Sequence, residues 1–186
     1  VLASGSPRRR ELLHQIGFQP EISVSSIPEN PKLDESPVEY TERLAYQKAA
    51  DVAEEFEDRW LVAADTVVIY RDELLEKPPD RDAAVRMLKR LSGRTHEVVT
   101  GFCCLHSSSK EEHKIIGVDK TEVTLKELSD ETIERYVSTG EPFDKSGGYG
   151  IQDIGGAFVK SVEGSYFTVV GLPISQVIDS LMELNA

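Results

Sequence analysis

The stretch Leu61-Val62-Ala63-Ala64-Asp65-Thr66-Val67-Val68-Ile69-Tyr70 is apolar over almost its whole length and is broken only by Asp65 and Thr66. A short run with no polar face and no helical stripe reads as a central strand covered on both faces. Such a strand needs helices above and below it, and amphipathic segments flank it. Leu12, Leu13 and Ile16 mark a first helix stopped by Gly17. Ser36, Pro37 and Glu39 form a capping-box pattern that opens a second, with its stripe at Leu44, Ala45, Ala49, Val52, Ala53 and Phe56. Ala83, Ala84, Met87, Leu88 and Leu91 give a third, stopped at Gly93. Ser129 caps a helix that ends before Gly140, and Pro173 opens the last, with Ile174, Val177, Ile178, Leu181 and Met182.

Between these lie further strand signals. Val1-Leu2-Ala3 reads as the end of a buried strand, 19–24 as a short strand and 25–36 as a loop rich in Pro, Asn, Asp and Ser. Segments 95–106 and 114–125 are rich in β-branched residues and read as a long hairpin through Ser107-Ser108-Ser109. Two short strands are expected around 157–162 and 166–170, turning at Gly164. Interleaved helices and strands predict a mixed α/β fold around one twisted sheet. At 186 residues the chain suits one domain, residues 1–186, or one domain drawn out into two lobes.

Charge limits the partners. With 21 basic against 33 acidic residues the net charge is −12, so the bulk surface repels nucleic-acid phosphate and anionic lipid. No apolar run approaches the roughly 18 residues of a membrane span. Neither nucleic acid nor membrane is expected as a partner. Cys103 and Cys104 are adjacent, a spacing that cannot staple distant segments, which fits a reduced, cytoplasmic setting.

An anionic ligand must therefore be met locally, and the densest basic cluster is Arg8-Arg9-Arg10. If Ser6 is the N-cap and Pro7 the first helical residue, Arg8 and Arg9 fall in the first turn, where the helix dipole disfavours cations. A bound phosphate reverses that sign, because free N–H groups, hydroxyls and guanidinium forks then converge on its oxygens. A solvated basic helix start, with the arginines bent toward acidic neighbours, is the competing reading.

Asp65 is a poor strand former in a buried run, and an unpaired buried charge is expensive. Either a Lys, an Arg or a turn holds it, or it is a metal ligand or general base at the carboxyl end of a central strand. Lys48 follows Leu44 by one helical turn and Lys77 is held extended by Pro78, yet each taken alone reads as a surface lysine. The tract Asp144-Lys145-Ser146-Gly147-Gly148-Tyr149-Gly150-Ile151-Gln152 needs unusual backbone angles or close approach to a ligand. It has neither the Walker nor the Rossmann spacing, and an ordinary tight loop fits it equally well. His14, His96, His106 and His113 show no metal-ligand spacing.

In order and spacing, Leu2-Ala3-Ser4-Gly5-Ser6-Pro7-Arg8-Arg9, Arg43-Leu44-Ala45 with Lys48-Ala49, Ala64-Asp65-Thr66-Val67-Val68, Leu75-Glu76-Lys77-Pro78, Leu91-Ser92-Gly93-Arg94, Thr100-Gly101 and Gly147-Gly148-Tyr149-Gly150-Ile151-Gln152 resemble the Maf family from Val1 to about Leu181. The resemblance implies an elongated, two-lobed α/β fold similar to the inosine triphosphate pyrophosphatases, with the active site in the cleft. It implies a nucleoside triphosphate pyrophosphatase that needs a divalent cation, Mg²⁺, Mn²⁺ or Co²⁺. Carried over by position, it implies Asp65 as proton acceptor, Ser4, Arg8 and Arg9 at the phosphates, and Lys48 and Lys77 as further active-site cations. Arg9, Thr66 and Gln152 match the subgroup acting on dTTP and UTP rather than on 7-methylguanosine triphosphate. Asp65 is the expected metal ligand, with Glu29 a candidate second. A nucleotide-sensing regulator linked to cell division is the alternative, and a homodimer is the default assembly.

Overall fold

The structure, a computed structural model, describes residues 1–108 and 113–184. Five strands form one sheet in the order β2-β1-β3-β4-β5: β1 is Trp60–Tyr70, β2 Glu73–Leu75, β3 Thr95–His106, β4 Lys114–Leu125 and β5 Val159–Glu163. Neighbours β1 and β2 run antiparallel, as do β4 and β5. Leu2 forms isolated parallel bridges to Val62 and Ile22. The helices are α1 (Pro7–Gln15), α2 (Pro37–Val52), α3 (Arg81–Leu91), α4 (Asp130–Val137), α5 (Tyr166–Val170) and α6 (Ile174–Glu183).

Three expected strands are not formed. Val1-Leu2-Ala3 contributes only the isolated bridges of Leu2. Segment 19–24 contributes only the bridge at Ile22, and 166–170 is the short helix α5. The sequence Tyr-Phe-Thr-Val-Val has high strand propensity, but five residues carry too little intrinsic preference to resist their tertiary setting. Ser109, the last residue of the expected hairpin turn, lies outside the described residues.

The chain divides into two compact units. The first comprises residues 1–66, 100–119 and 171–186. Its α2 begins with the capping box expected: Ser36 accepts from the Glu39 amide, and the Glu39 carboxylate accepts from the Ser36 amide. Ala45, Ala49 and Val52 pack against Leu61 and Ala63 of β1 and Cys103 and Leu105 of β3. Gly101 explains how closely this helix lies on the sheet. A Cβ there would fall 2.4 Å from the Thr41 carbonyl carbon, so only glycine fits beneath α2.

The second unit comprises residues 67–99 and 120–170. Its core joins Val68, Tyr70, Leu75, Leu88, Leu91, Val98, Val123, Leu125, Ile133, Tyr136, Tyr149 and Phe158. Asp80 and Ser129 cap α3 and α4 by accepting from the amides of Ala83 and Thr132. Gly147 sits at φ +75°, with Val68 Cγ2 2.9 Å from where its Cβ would be. This turn admits no side chain.

Candidate active site

In the first unit, the period-2 alternation of β1 puts Asp65 on the face that carries Leu61 and Ala63. Lys48 lies beside the α2 stripe of Ala45, Ala49 and Val52, three residues after Ala45 and four before Val52, and so points at that face. The small alanines bring helix and strand close, and Lys48 Nζ donates to Asp65 Oδ1 at 2.7 Å. Both residues are buried, and neither has the surface placement that Lys48 suggested when read alone. Glu29 Oε1 lies 3.0 Å from the same Nζ, on a loop whose Glu29 carbonyl accepts from the Tyr40 hydroxyl. Two carboxylates therefore converge on one cation. Among the described residues no group of three or more His, Cys, Asp and Glu converges as a metal cage.

A second cluster of this unit gathers Ser4, Arg9 and Thr66. Successive residues of β1 point to opposite faces, so Asp65 meets Lys48 while Thr66 meets Arg9. The Arg9 guanidinium donates through Nη1 to Ser4 Oγ (3.1 Å), through Nη2 to Thr66 Oγ1 (3.0 Å) and through Nε to the Gly171 carbonyl (2.7 Å). Burial lowers its pKa from the usual arginine value, opposed by the Asp65 carboxylate. Thr66 Oγ1 also lies 3.0 Å from Thr100 Oγ1, a fully buried hydroxyl of β3. Three of the five guanidinium hydrogens are thus engaged within the protein. The first turn of α1 holds Arg8 and Arg9 with no acidic residue, and Ser6 makes no side-chain cap bond.

The second unit holds Lys77 and Gln152. Lys77 is exposed, and the preceding Glu76 carbonyl accepts from the Gly147 amide at 3.3 Å, which ties the lysine's segment to the glycine-rich tract. Gln152 Oε1 is buried without a hydrogen-bond partner, a costly state for an amide oxygen in the absence of a ligand. His96 Nε2 and Tyr149 OH are 2.7 Å apart beside this tract, and burial lowers the imidazole to about 4.

Thr100 and Gly171, the further partners of the Arg9 and Thr66 cluster, were not among the expected site residues. Thr100 had a legible signal, since it is polar inside the apolar run of β3, as Asp65 is in β1. The Gly171 carbonyl had none. Cys103 and Cys104 are free and buried, and burial pushes both thiols up to about 12, which removes them as nucleophiles.

Compared with known proteins, the chain matches a family model described as Maf-like protein over residues 1–184. It is 47% identical over 191 residues to a protein of Acetivibrio thermocellus named dTTP/UTP pyrophosphatase, covering 100% of this chain and 94% of that one. A protein of the same name from Ruminiclostridium cellulolyticum is 45% identical, covering 100% and 95%. Another from Shigella boydii is 46% identical, covering 100% and 92%.

Proposed function

This chain belongs to the Maf-like protein family, and on that footing we propose that it hydrolyses dTTP and UTP to the monophosphate and pyrophosphate, clearing them from the cytoplasmic nucleotide pool. The observation that carries the reading is the buried Lys48 and Asp65 pair with Glu29 on the same ammonium, in a chain that aligns end to end with proteins named for this activity.

In this reading Asp65 accepts a proton from the attacking water. The water oxygen forms the new P–O bond, the α–β anhydride P–O bond breaks, and pyrophosphate leaves with the bridging oxygen. Charge on the triphosphate, about four negative units, is met by Arg8, Lys48 and Lys77, with the two remaining Arg9 hydrogens as further donors. Entry of the substrate competes with Asp65 for Lys48, so the lysine neutralises phosphate while the carboxylate is released to act as base. Asp65 and Glu29 suit a hard divalent ion, which takes one or two carboxylates and completes its shell with waters and substrate phosphates. When bound, Mg²⁺, Mn²⁺ or Co²⁺ would neutralise phosphate charge and polarise the phosphoryl group. Gln152 offers an amide to the donor and acceptor edge of uracil or thymine.

A pyrophosphate-release screen across canonical and modified triphosphates with each of the three metals tests the proposal. Turnover of dTTP and UTP well above ATP, GTP and 7-methylguanosine triphosphate is expected. Nucleotide binding with no pyrophosphate release under any of these conditions overturns hydrolysis and favours nucleotide sensing.

A further inference from the structure

Within the second unit, Glu141 makes a set of bonds that the proposed chemistry does not use. Its Oε1 accepts from the Tyr136 hydroxyl at 2.8 Å and from the Gly155 amide at 3.0 Å, and its Oε2 accepts from the Ile154 amide at 3.2 Å. Tyr136 is itself fixed, being 2% exposed and edge-on to Phe158 with ring centroids 4.8 Å apart. Lys145 lies alongside: its Nζ donates to the Glu141 carbonyl at 3.0 Å and to Asp144 Oδ1 at 2.7 Å, with Asp153 Oδ2 at 3.5 Å.

These groups hold the backbone on both sides of Gln152. A Cβ on Gly150 would fall 2.4 Å from Lys145 Cε, one on Gly155 would fall 2.7 Å from the Tyr136 hydroxyl and 2.9 Å from Gly150 N, and one on Gly156 would fall 2.2 Å from the Ile151 carbonyl oxygen. Segment 150–156 therefore folds back on itself, with Gln152 inside the fold-back and Glu141 closing it. The orphaned Gln152 Oε1 is what such a closure produces: an acceptor kept in place with nothing to accept from. A side chain on an unpinned loop would turn to water or to a backbone amide.

We propose that Glu141 is a positioning residue for base selection, its carboxylate holding the 150–156 loop so that Gln152 presents a fixed amide to the base. This deepens the proposed function and rests on the reading of Gln152 as the group that pairs with the pyrimidine. Preorganisation of that kind acts on discrimination, because a hydrogen-bonding site rejects a wrong base only if its polar groups cannot rearrange to suit it.

The test compares kcat/KM for UTP and GTP in the wild type, Glu141→Ala, Glu141→Gln, Gln152→Leu and the Glu141→Ala, Gln152→Leu double variant. Glu141→Ala should lower the UTP-to-GTP ratio about tenfold, the equivalent of one charge-assisted hydrogen bond. Glu141→Gln still offers an oxygen to Tyr136 and Gly155, and should lose less. In the Gln152→Leu background, Glu141→Ala should leave the ratio where it is, since the two act through one contact. Should Glu141→Ala fail to fold, Tyr136→Phe removes one donor while keeping the ring, and should move the ratio the same way. Equal losses for both nucleotides, with the ratio unchanged, give Glu141 a purely structural role and overturn the proposal. A Gln152→Leu protein with wild-type selectivity overturns the reading of Gln152 itself, and the proposal with it.

Discussion

Arg9 Nη2 donates to Thr66 Oγ1 at 3.0 Å, joining the first turn of α1 to the middle of β1. The sequence suggests phosphate duty for Arg9, yet its guanidinium already holds three protein acceptors. Part of its role is therefore to keep Ser4, Thr66 and the Gly171 carbonyl in register.

Replacing Arg9 by lysine should destabilise the ligand-free protein by about 1–3 kcal/mol, because an ammonium cannot reproduce a planar fork with three fixed partners. Urea unfolding without nucleotide measures this. Unchanged stability together with weakened nucleotide binding would assign the guanidinium to the ligand alone.

Asp65→Asn should reduce pyrophosphate release by about 10²- to 10⁴-fold, as expected for loss of a general base. The variant should still fold, since an amide oxygen can accept from Lys48 and Glu29 keeps the ammonium paired. Circular dichroism and a thermal melt establish folding, and near-native turnover in a folded variant removes Asp65 from the chemistry.

Pyrophosphate should raise the melting temperature, because an anion that binds only the folded chain stabilises it as the logarithm of its concentration over Kd. Arg8→Ala should shrink that shift and Arg10→Ala should do so much less, Arg10 being exposed on α1. An undiminished shift in Arg8→Ala would locate the anion site elsewhere.

His96 supplies a pH dependence. Its folded pKa of about 4 lies below the ordinary 6.5, so the unfolded chain binds the extra proton between those values. The stabilisation is complete above the unfolded pKa and is lost as pH falls from about 6.5 toward 4, by up to about 3 kcal/mol. Denaturant unfolding at steps across this window, in wild type and His96→Phe, should show the variant with the shallower loss. An identical slope in both would clear His96 of the effect.

Much of this site was legible because its residues break local rules. Asp65 interrupts a buried strand, and arginines occupy a helix start that disfavours them. Sequence also placed α2, whose capping box and alanine stripe are local signals, but it could not show that Lys48 lies in that stripe's path to Asp65. That depends on Gly101 admitting α2 against β3, a contact between residues 60 positions apart. Glu141 gave no signal at all. Its acceptors are satisfied by a tyrosine hydroxyl and two loop amides, and no periodicity or propensity encodes such a meeting. The error at 166–170 has the opposite cause, a strong local strand preference overruled by surroundings that the sequence does not display.

The vicinal cysteines have a practical consequence for studying this protein in solution. With both thiols at about 12, the thiolate fraction at neutral pH is on the order of one in 10⁵, and both side chains are sealed from solvent. Maleimide and iodoacetamide reagents should leave the native chain unmarked. A cysteine introduced at an exposed position away from the proposed site, such as Leu33 or Met182, can then carry a fluorophore or spin label selectively, without first removing the natural pair.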